Sequence, residues 1–214
     1  MSLFPYRYAA AQESARTGLP LMRALVLMNQ DDREAREADG EYHFGPDLLV
    51  APVLAPVTQR SLYLPEGNWV DYWTGRCLTG RQTITVDAPL DRVPLFVREG
   101  TVLPKIPEDV MTLVPQSDFK DRGVQALDDR RIYEIYPGHE ARTITDYESR
   151  TVVHEPEAGT LTLTGAPARV TIRWRFAHPS SVTWNGQRID KATTTPDGIA
   201  VEFQHNGIST LRWR

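Results

Sequence analysis

Two carboxyl groups held about 5 to 5.5 Å apart across an acetal bond can serve as nucleophile and acid/base, so the acids come first. The candidates are Asp31 with Asp32, Asp39 with Glu41, Asp71, Asp87, Asp91, Asp128 with Asp129, and Asp146 with Glu148. Each has a structural occupation open to it. Asp31 and Asp32 begin DDREAREAD, where a carboxylate would accept from the unpaired amides of a helix start. Asp128 and Asp129 would point to opposite faces of an extended segment and could not address one ligand together. No catalytic residue is therefore assigned. His43, His139, His154, His178 and His205 lack the i, i+4 or His-x-His spacing that brings two imidazoles to one metal. Neither a glycine-rich phosphate loop nor a G-x-S-x-G elbow occurs. No metal-binding or cofactor-binding residue and no cofactor is expected. The single cysteine, Cys77, lies in TGRCLTG, which reads as a turn rather than the electropositive setting a nucleophilic thiolate needs.

The aromatic residues offer binding rather than bond-breaking chemistry, because the apolar face of a sugar ring packs on indole and phenol rings. Trp69, Tyr72 and Trp73 fall within NWVDYW. In a regular strand Trp69 and Trp73 share one face and Tyr72 takes the other. The tryptophan pair reads as a core anchor, with Trp69, Tyr72 and Trp73 kept as the candidate sugar-contacting set. Trp174 alternates with Ile172 and Phe176 in TIRWRF and reads as core.

Those residues need elements to hold them. LFPYRYAAAQESART favours a helix stopped by Gly18. The run Leu19 to Leu27, interrupted by Arg23, reads as a strand buried on both faces. DDREAREAD is a short exposed helix or a loop with almost no apolar face. From Asp47 onward LLVAPVL, SLYLP, NWVDYW, QTITV, RVPLFVRE and TVLP are short β runs punctuated by Pro or Gly, the pattern of an antiparallel sandwich. Gly67-Asn68 and Thr79-Gly80 are the expected tight turns. A looser stretch around residue 108 marks a boundary, after which a second β series runs from RRIYEIYP to GISTLRWR. Asn185-Gly186 is its strongest hairpin signal.

A 214-residue chain with 41% hydrophobic and 24% charged residues has the usual globular mix. At a net charge of -4 its arginines are interspersed with acids, Arg130-Arg131 directly after Asp128-Asp129. They read as solvated faces, and no nucleic-acid partner is expected. One cysteine excludes an internal disulfide and fits a reducing compartment, so a soluble cytoplasmic setting is favoured over a membrane. No apolar run long enough to span a bilayer and no signal-peptide pattern is present in the chain as given.

The phrases DLLVAPV, YLPEGNW, DYWTG and APLDRVPLFVREG, in that order between Asp47 and Gly100, resemble the region that follows the catalytic barrel in glycoside hydrolase family 31, the retaining α-glucosidases and α-xylosidases. FPYRYAAAQESARTGLPLMRAL is similar to that family's last barrel helix and strand. The resemblance implies a mainly β fold, with residues 1–45 as an α/β remnant of a (β/α)8 barrel, 46–108 as a proximal β-sandwich and 109–214 as a distal one. The family's W-x-D-M-N-E-like nucleophile motif and its G-D-N-like acid/base phrase are absent. Where many members carry an E-D-D-G-x-S-like phrase, this chain has TDYESRTV. The expectation is a non-catalytic C-terminal segment of an α-glycosidase, inactive alone, whose partner is the barrel of the same parent chain. Residues 1–45 are expected to be mobile, rearranged or buried against a second copy. The alternatives are a carbohydrate-binding β module with an oligosaccharide ligand, or a module for self-association.

Overall fold

A computed structural model describes residues 2–110, 130–146 and 150–214. They form two compact units, one of Ala10–Glu99 and one of Gly100–Arg214 with Met1–Ala9. Both are built mainly from antiparallel strands. No helix among the described residues is long and apolar enough to cross a membrane. Asp128, Asp129 and Glu148 lie outside the described residues.

The chain opens with α1, Phe4–Thr17. It ends as its sequence requires: Gly18 adopts φ +80°, and its N–H donates to the Ser14 carbonyl at 2.8 Å. The apolar run that follows departs from expectation. Only β1, Met22–Ala24, is extended, and it buries Arg23 while exposing Met22 and Ala24. The rest winds into a single helical turn, α2, Leu25–Met28. A short unbroken apolar run does not distinguish strand from helix by periodicity. Here one neighbour, β2 (Tyr42–Phe44), pairs with β1, so a strand buried on both faces does not form. Arg23 sits in that inward position because Glu13 takes its Nη2–H at 2.7 Å and the Pro20 carbonyl its Nε–H at 2.9 Å. The acidic stretch becomes α3, Arg33–Glu37, with Asp32 Oδ1 accepting from the Ala35 N–H as the N-cap. As expected of a short exposed helix, Arg33, Glu34, Arg36 and Glu37 face solvent, and its one inward residue is the small Ala35.

One sheet of the first unit runs β1, β2, β3 (Leu48–Val50), β8 (Leu95–Arg98), β5 (Asn68–Asp71) and β6 (Cys77–Thr79). A two-stranded antiparallel sheet of β4 (Gln59–Leu64) and β7 (Gln82–Asp87) supplies the second layer. Leu49, Leu62, Leu64, Trp69 and Phe96 meet in the core between them. The turns fall where Gly67 and Gly80 were expected. Gly80 donates to the Gly67 carbonyl at 2.7 Å, and a Cβ at Gly80 would lie 2.0 Å from the Pro65 carbonyl oxygen.

In the second unit a five-stranded sheet orders β17 (Ala192–Thr195), β18 (Gly198–His205), β14 (Ala168–Arg175), β10 (Arg130–Ile135) and β9 (Val102–Lys105). It packs on a six-stranded sheet of β11 (Arg142–Thr145), β12 (Thr151–Glu155), β13 (Thr160–Thr164), β19 (Ile208–Trp213), β15 (Val182–Trp184) and β16 (Gln187–Arg188). Tyr133, Val170, Ile172, Trp174 and Phe203 from one face Val152, Leu161, Leu163 and Leu211 from the other. Asn185 and Gly186 take φ 48° and 82°, closing the β15–β16 hairpin as a primed turn. Two features depart from the sequence reading. The β10–β14 pair is parallel, and the polar segment β17 is an edge strand with no inward apolar alternation to announce it.

The second unit also buries charge. Glu134 is fully enclosed, accepting from Lys105 Nζ at 2.9 Å and Arg173 Nη1 at 3.0 Å, with Arg175 Nη1 at 3.7 Å. Asp146 is likewise enclosed, accepting from the Tyr133 hydroxyl and the Arg150 N–H, each at 3.0 Å, with the Arg131 and Arg150 guanidinium groups within 4 Å. The reading of the arginines as solvated is corrected at Arg23, Arg131, Arg150 and Arg175, all buried. Spacing along a chain does not reveal carboxylates brought in from other strands.

Candidate functional site

The candidate aromatic residues part company at the end of β5. The strand stops at Asp71, whose Oδ1 accepts from the backbone N–H of Trp73 at 2.8 Å and of Thr74 at 3.0 Å. A side chain that satisfies the backbone in this way substitutes for continued pairing and turns the chain. Trp73 therefore does not share a face with Trp69, and its reading as core is corrected. Trp69 is wholly buried, its Nε1–H donating to the Pro65 carbonyl at 2.9 Å and the Arg98 guanidinium lying 4.9 Å from its ring centroid. It is closed to any ligand. Trp73 is 40% exposed.

The exposed indole is held in place. Its Nε1–H donates to the Val93 carbonyl at 2.8 Å, Tyr72 packs edge-on at 5.0 Å, and the Arg92 guanidinium lies 5.6 Å from its centroid. Trp73 and Arg92, together with Asp71, Arg76, Asp87 and Phe96, line an open cleft of about 510 Å³, with Tyr72 packed behind the indole. An aromatic face flanked by two guanidinium groups and two carboxylates can hold a polyol ring by stacking and hydrogen bonding. Arg92 and Arg76 were not singled out from sequence. Both lie in turns without periodicity, and only DRVP, a charged pair before a proline, hinted that the loop stands out from the sheet.

Among the described residues, most of the candidate acids are engaged in structural contacts. Asp32 caps α3 and accepts from the Tyr63 hydroxyl at 2.7 Å. Glu41 accepts from the Tyr63 N–H at 2.7 Å and pairs with Arg60; burial, the largest influence, pushes its carboxyl up. Asp71 holds its turn, Asp87 accepts from Gln59, and Asp91 lies beside Arg92. Asp146 is enclosed by its cations. Cys77 is exposed, with the Gly75 carbonyl 3.9 Å from its Sγ.

Comparison with known proteins places this architecture. The family model described as the glycosyl hydrolase family 31 C-terminal domain matches residues 18–103. The isomaltosyltransferase of Sporosarcina globispora is 32% identical over 91% of this chain and 18% of its own length. The α-xylosidase of Saccharolobus solfataricus is 40% identical over 50% of this chain and 15% of its own. Among solved structures, an uncharacterized protein of Listeria monocytogenes, in complex with α-D-glucose, β-D-glucose, magnesium and calcium, superposes over 100% of this chain and 22% of its own, with TM-score 0.82 and 28% identity. The chain thus spans less than a fifth of the length of these two relatives.

Proposed function

Since the chain is the C-terminal region of a glycoside hydrolase family 31 protein, we propose that it serves a retaining α-glycosidase as its non-catalytic segment, bracing the barrel that carries the catalytic carboxylates. The observation that carries this reading is the distribution of exposed apolar side chains. Met22, Val26, Leu27 and Met28 stand in solvent beside β1, an edge strand of its sheet. Leu54, Val57, Leu90 and Val93 protrude from two loops tied together by the Ala51 N–H to the Pro94 carbonyl and the Ala88 N–H to the Thr58 carbonyl. Surfaces of this kind mark contact with another protein surface, and the family supplies the neighbour.

The test compares the 214-residue chain with the same chain expressed behind its upstream reading frame. Alone, it gives no turnover of a chromogenic α-glucoside or α-xyloside, and the exposed Met22 and Met28 are readily oxidised by peroxide. With the upstream segment, turnover appears and those methionines become protected. Turnover by the chain alone, or equal oxidation of the two methionines in both forms, overturns the reading. The match over 91% of the chain to an isomaltosyltransferase makes a second sugar, rather than water, an alternative acceptor for the parent. Chromatography of the products formed from maltose distinguishes the two.

A second reading rests on Trp73. Its exposure beside Arg76 and Arg92 suits a sugar platform, with Tyr72 as its buttress. Calorimetric titration with maltose and xylo-oligosaccharides would then give heat that Trp73→Ala removes.

A further inference from the structure

The parallel pairing of β10 with β14 brings the C-terminal ends of two neighbouring strands together, with Ile135 opposite Trp174. In the facing sheet β12 and β19 both run antiparallel to β13, so their ends carry His154 and Trp213 to the same cleft. The cleft occupies about 320 Å³ and is lined by Tyr136, His139, His154, Trp174 and Trp213 with Ile135, Ala177 and prolines. Trp213 packs edge-on against Trp174 at 5.5 Å and lies 5.7 Å from the His154 ring.

Three features of this cleft exceed what a core needs. Trp174 is 2% exposed, yet its Nε1–H has no hydrogen-bond partner, an arrangement that buried polar groups ordinarily avoid. His154 Nδ1 lies 2.8 Å from the Gly100 carbonyl. A carbonyl only accepts, so Nδ1 carries the hydrogen and Nε2 is left as an acceptor. Burial holds this imidazole below its ordinary value, hence neutral. Phe176, between the lining residues Trp174 and Ala177, has φ +57°, a left-handed conformation that is costly for a bulky side chain and that tends to persist at ligand sites. The lining contains no Asp, Glu, Lys or Arg. Apart from the titratable His139 the lining offers a charged ligand no counter-charge, whereas a neutral ring bearing hydroxyl groups finds aromatic faces, one donor and one acceptor.

We propose that this cleft in the second unit is a binding site for a neutral hexopyranose, with Trp213 and Trp174 as its aromatic walls, Trp174 Nε1–H as donor and His154 Nε2 as acceptor. It is separate from the Trp73 cleft and takes from the function proposed above only the choice of sugar. The site holds a ring and does not cleave it.

The experiment follows the five indole N–H resonances of the 214-residue chain by NMR during addition of methyl α-D-glucopyranoside, maltose or isomaltose, with glucose 6-phosphate as the charged comparison. The expected result is a saturable shift of the Trp174 and Trp213 signals on the order of millimolar sugar, with a clearly weaker response to the phosphate. Trp73→Ala leaves those shifts unchanged. Trp213→Ala, where it remains folded, weakens binding about tenfold or more. Absence of a saturable shift at Trp174 and Trp213 in the unsubstituted chain overturns the proposal, as does a response confined to Trp73 or unchanged affinity in a folded Trp213→Ala. None of these readings depends on turnover, so the site stands or falls apart from the bracing role.

Discussion

The two units solve the same architectural problem with different interiors and different surfaces. Ala10–Glu99 buries Arg23, Glu41 and His43 at the margin of an apolar core and leaves Met22, Leu27, Met28, Leu54, Leu90 and Trp73 in solvent. Among the described residues of the other unit, the large hydrophobic side chains so exposed are Tyr8 and Ile208. That second unit goes further in burying charge, enclosing both Glu134 and Asp146 completely among several cations each. Apolar exposure invites a partner, whereas a buried carboxylate is useful only if its own cations stay in place. The first unit is thus built to be covered, and the second to be self-sufficient. The tryptophans repeat the contrast: Trp73 spends its N–H on Val93, while Trp174 keeps its own uncommitted.

The severest way to break this comparison is to remove Glu134. Its loss removes the carboxylate that Lys105, Arg173 and Arg175 share in the interior, and breaking a buried pair costs about 3–5 kcal/mol. In urea, Glu134→Ala should move the unfolding of the second unit to much lower denaturant while the first unit's transition stays in place. Glu134→Gln should shift it in the same direction. A common shift of both transitions would mean that the units do not unfold independently.

Acid should discriminate next. Burial first, then Arg98 and Arg23, push His43 down from 6.5 to about 4. The unfolded chain therefore binds this proton more readily, and the associated stability is complete above about pH 6.5 and lost as pH falls toward 4. Between pH 6.5 and 5 the loss is about 2 kcal/mol. Glu41, raised by burial, acts in the opposite sense, so comparison with a His43 variant is what isolates the imidazole over that interval. His43→Gln should flatten the first unit's dependence over it. His154 and His205, both lowered chiefly by burial, should leave the second unit acid-sensitive in that variant.

A smaller effect belongs to the turn that separates Trp69 from Trp73. Asp71→Ala removes the acceptor of two backbone N–H groups and should cost about 1 kcal/mol. Urea unfolding would read that loss, and a red shift of indole emission would report Trp73 released from Val93.

That turn also marks the limit of what the sequence could tell. Asn185-Gly186, the strand from Ala168 to Arg175, and the helix ending at Gly18 are legible because local chemistry decides them: a primed turn, period-two burial, a left-handed cap. The face of Trp73 was not legible, because one Asp71 side chain ended the period that the inference assumed. Nor was the burial of Arg131 and Arg150, which depends on Asp146 arriving from elsewhere in the fold. Of the candidate set, Trp73 lines a cleft, Tyr72 packs edge-on against it, and Trp69 goes to the core. His154 and Trp213 meet Trp174 only through strand pairings that no spacing along the chain encodes.

Leu27 tests the exposed face with the least disturbance to folding. It is 44% exposed in the turn of α2, so Leu27→Asp should change the stability of the isolated chain by no more than about 0.5 kcal/mol. Its effect should appear in association. If the face around Met22 and Met28 is made to be covered, the isolated chain can cover it with a second copy, and sedimentation would show weight-average mass rising with concentration. A carboxylate at position 27 places an unpaired charge in that contact, whose desolvation is unfavourable, and should keep the chain monomeric. The same change on Ile208, at 67% exposure in the second unit, should leave association as it was. Equal effects of the two substitutions would remove the distinction between a surface built for a neighbour and one that merely carries a single apolar side chain.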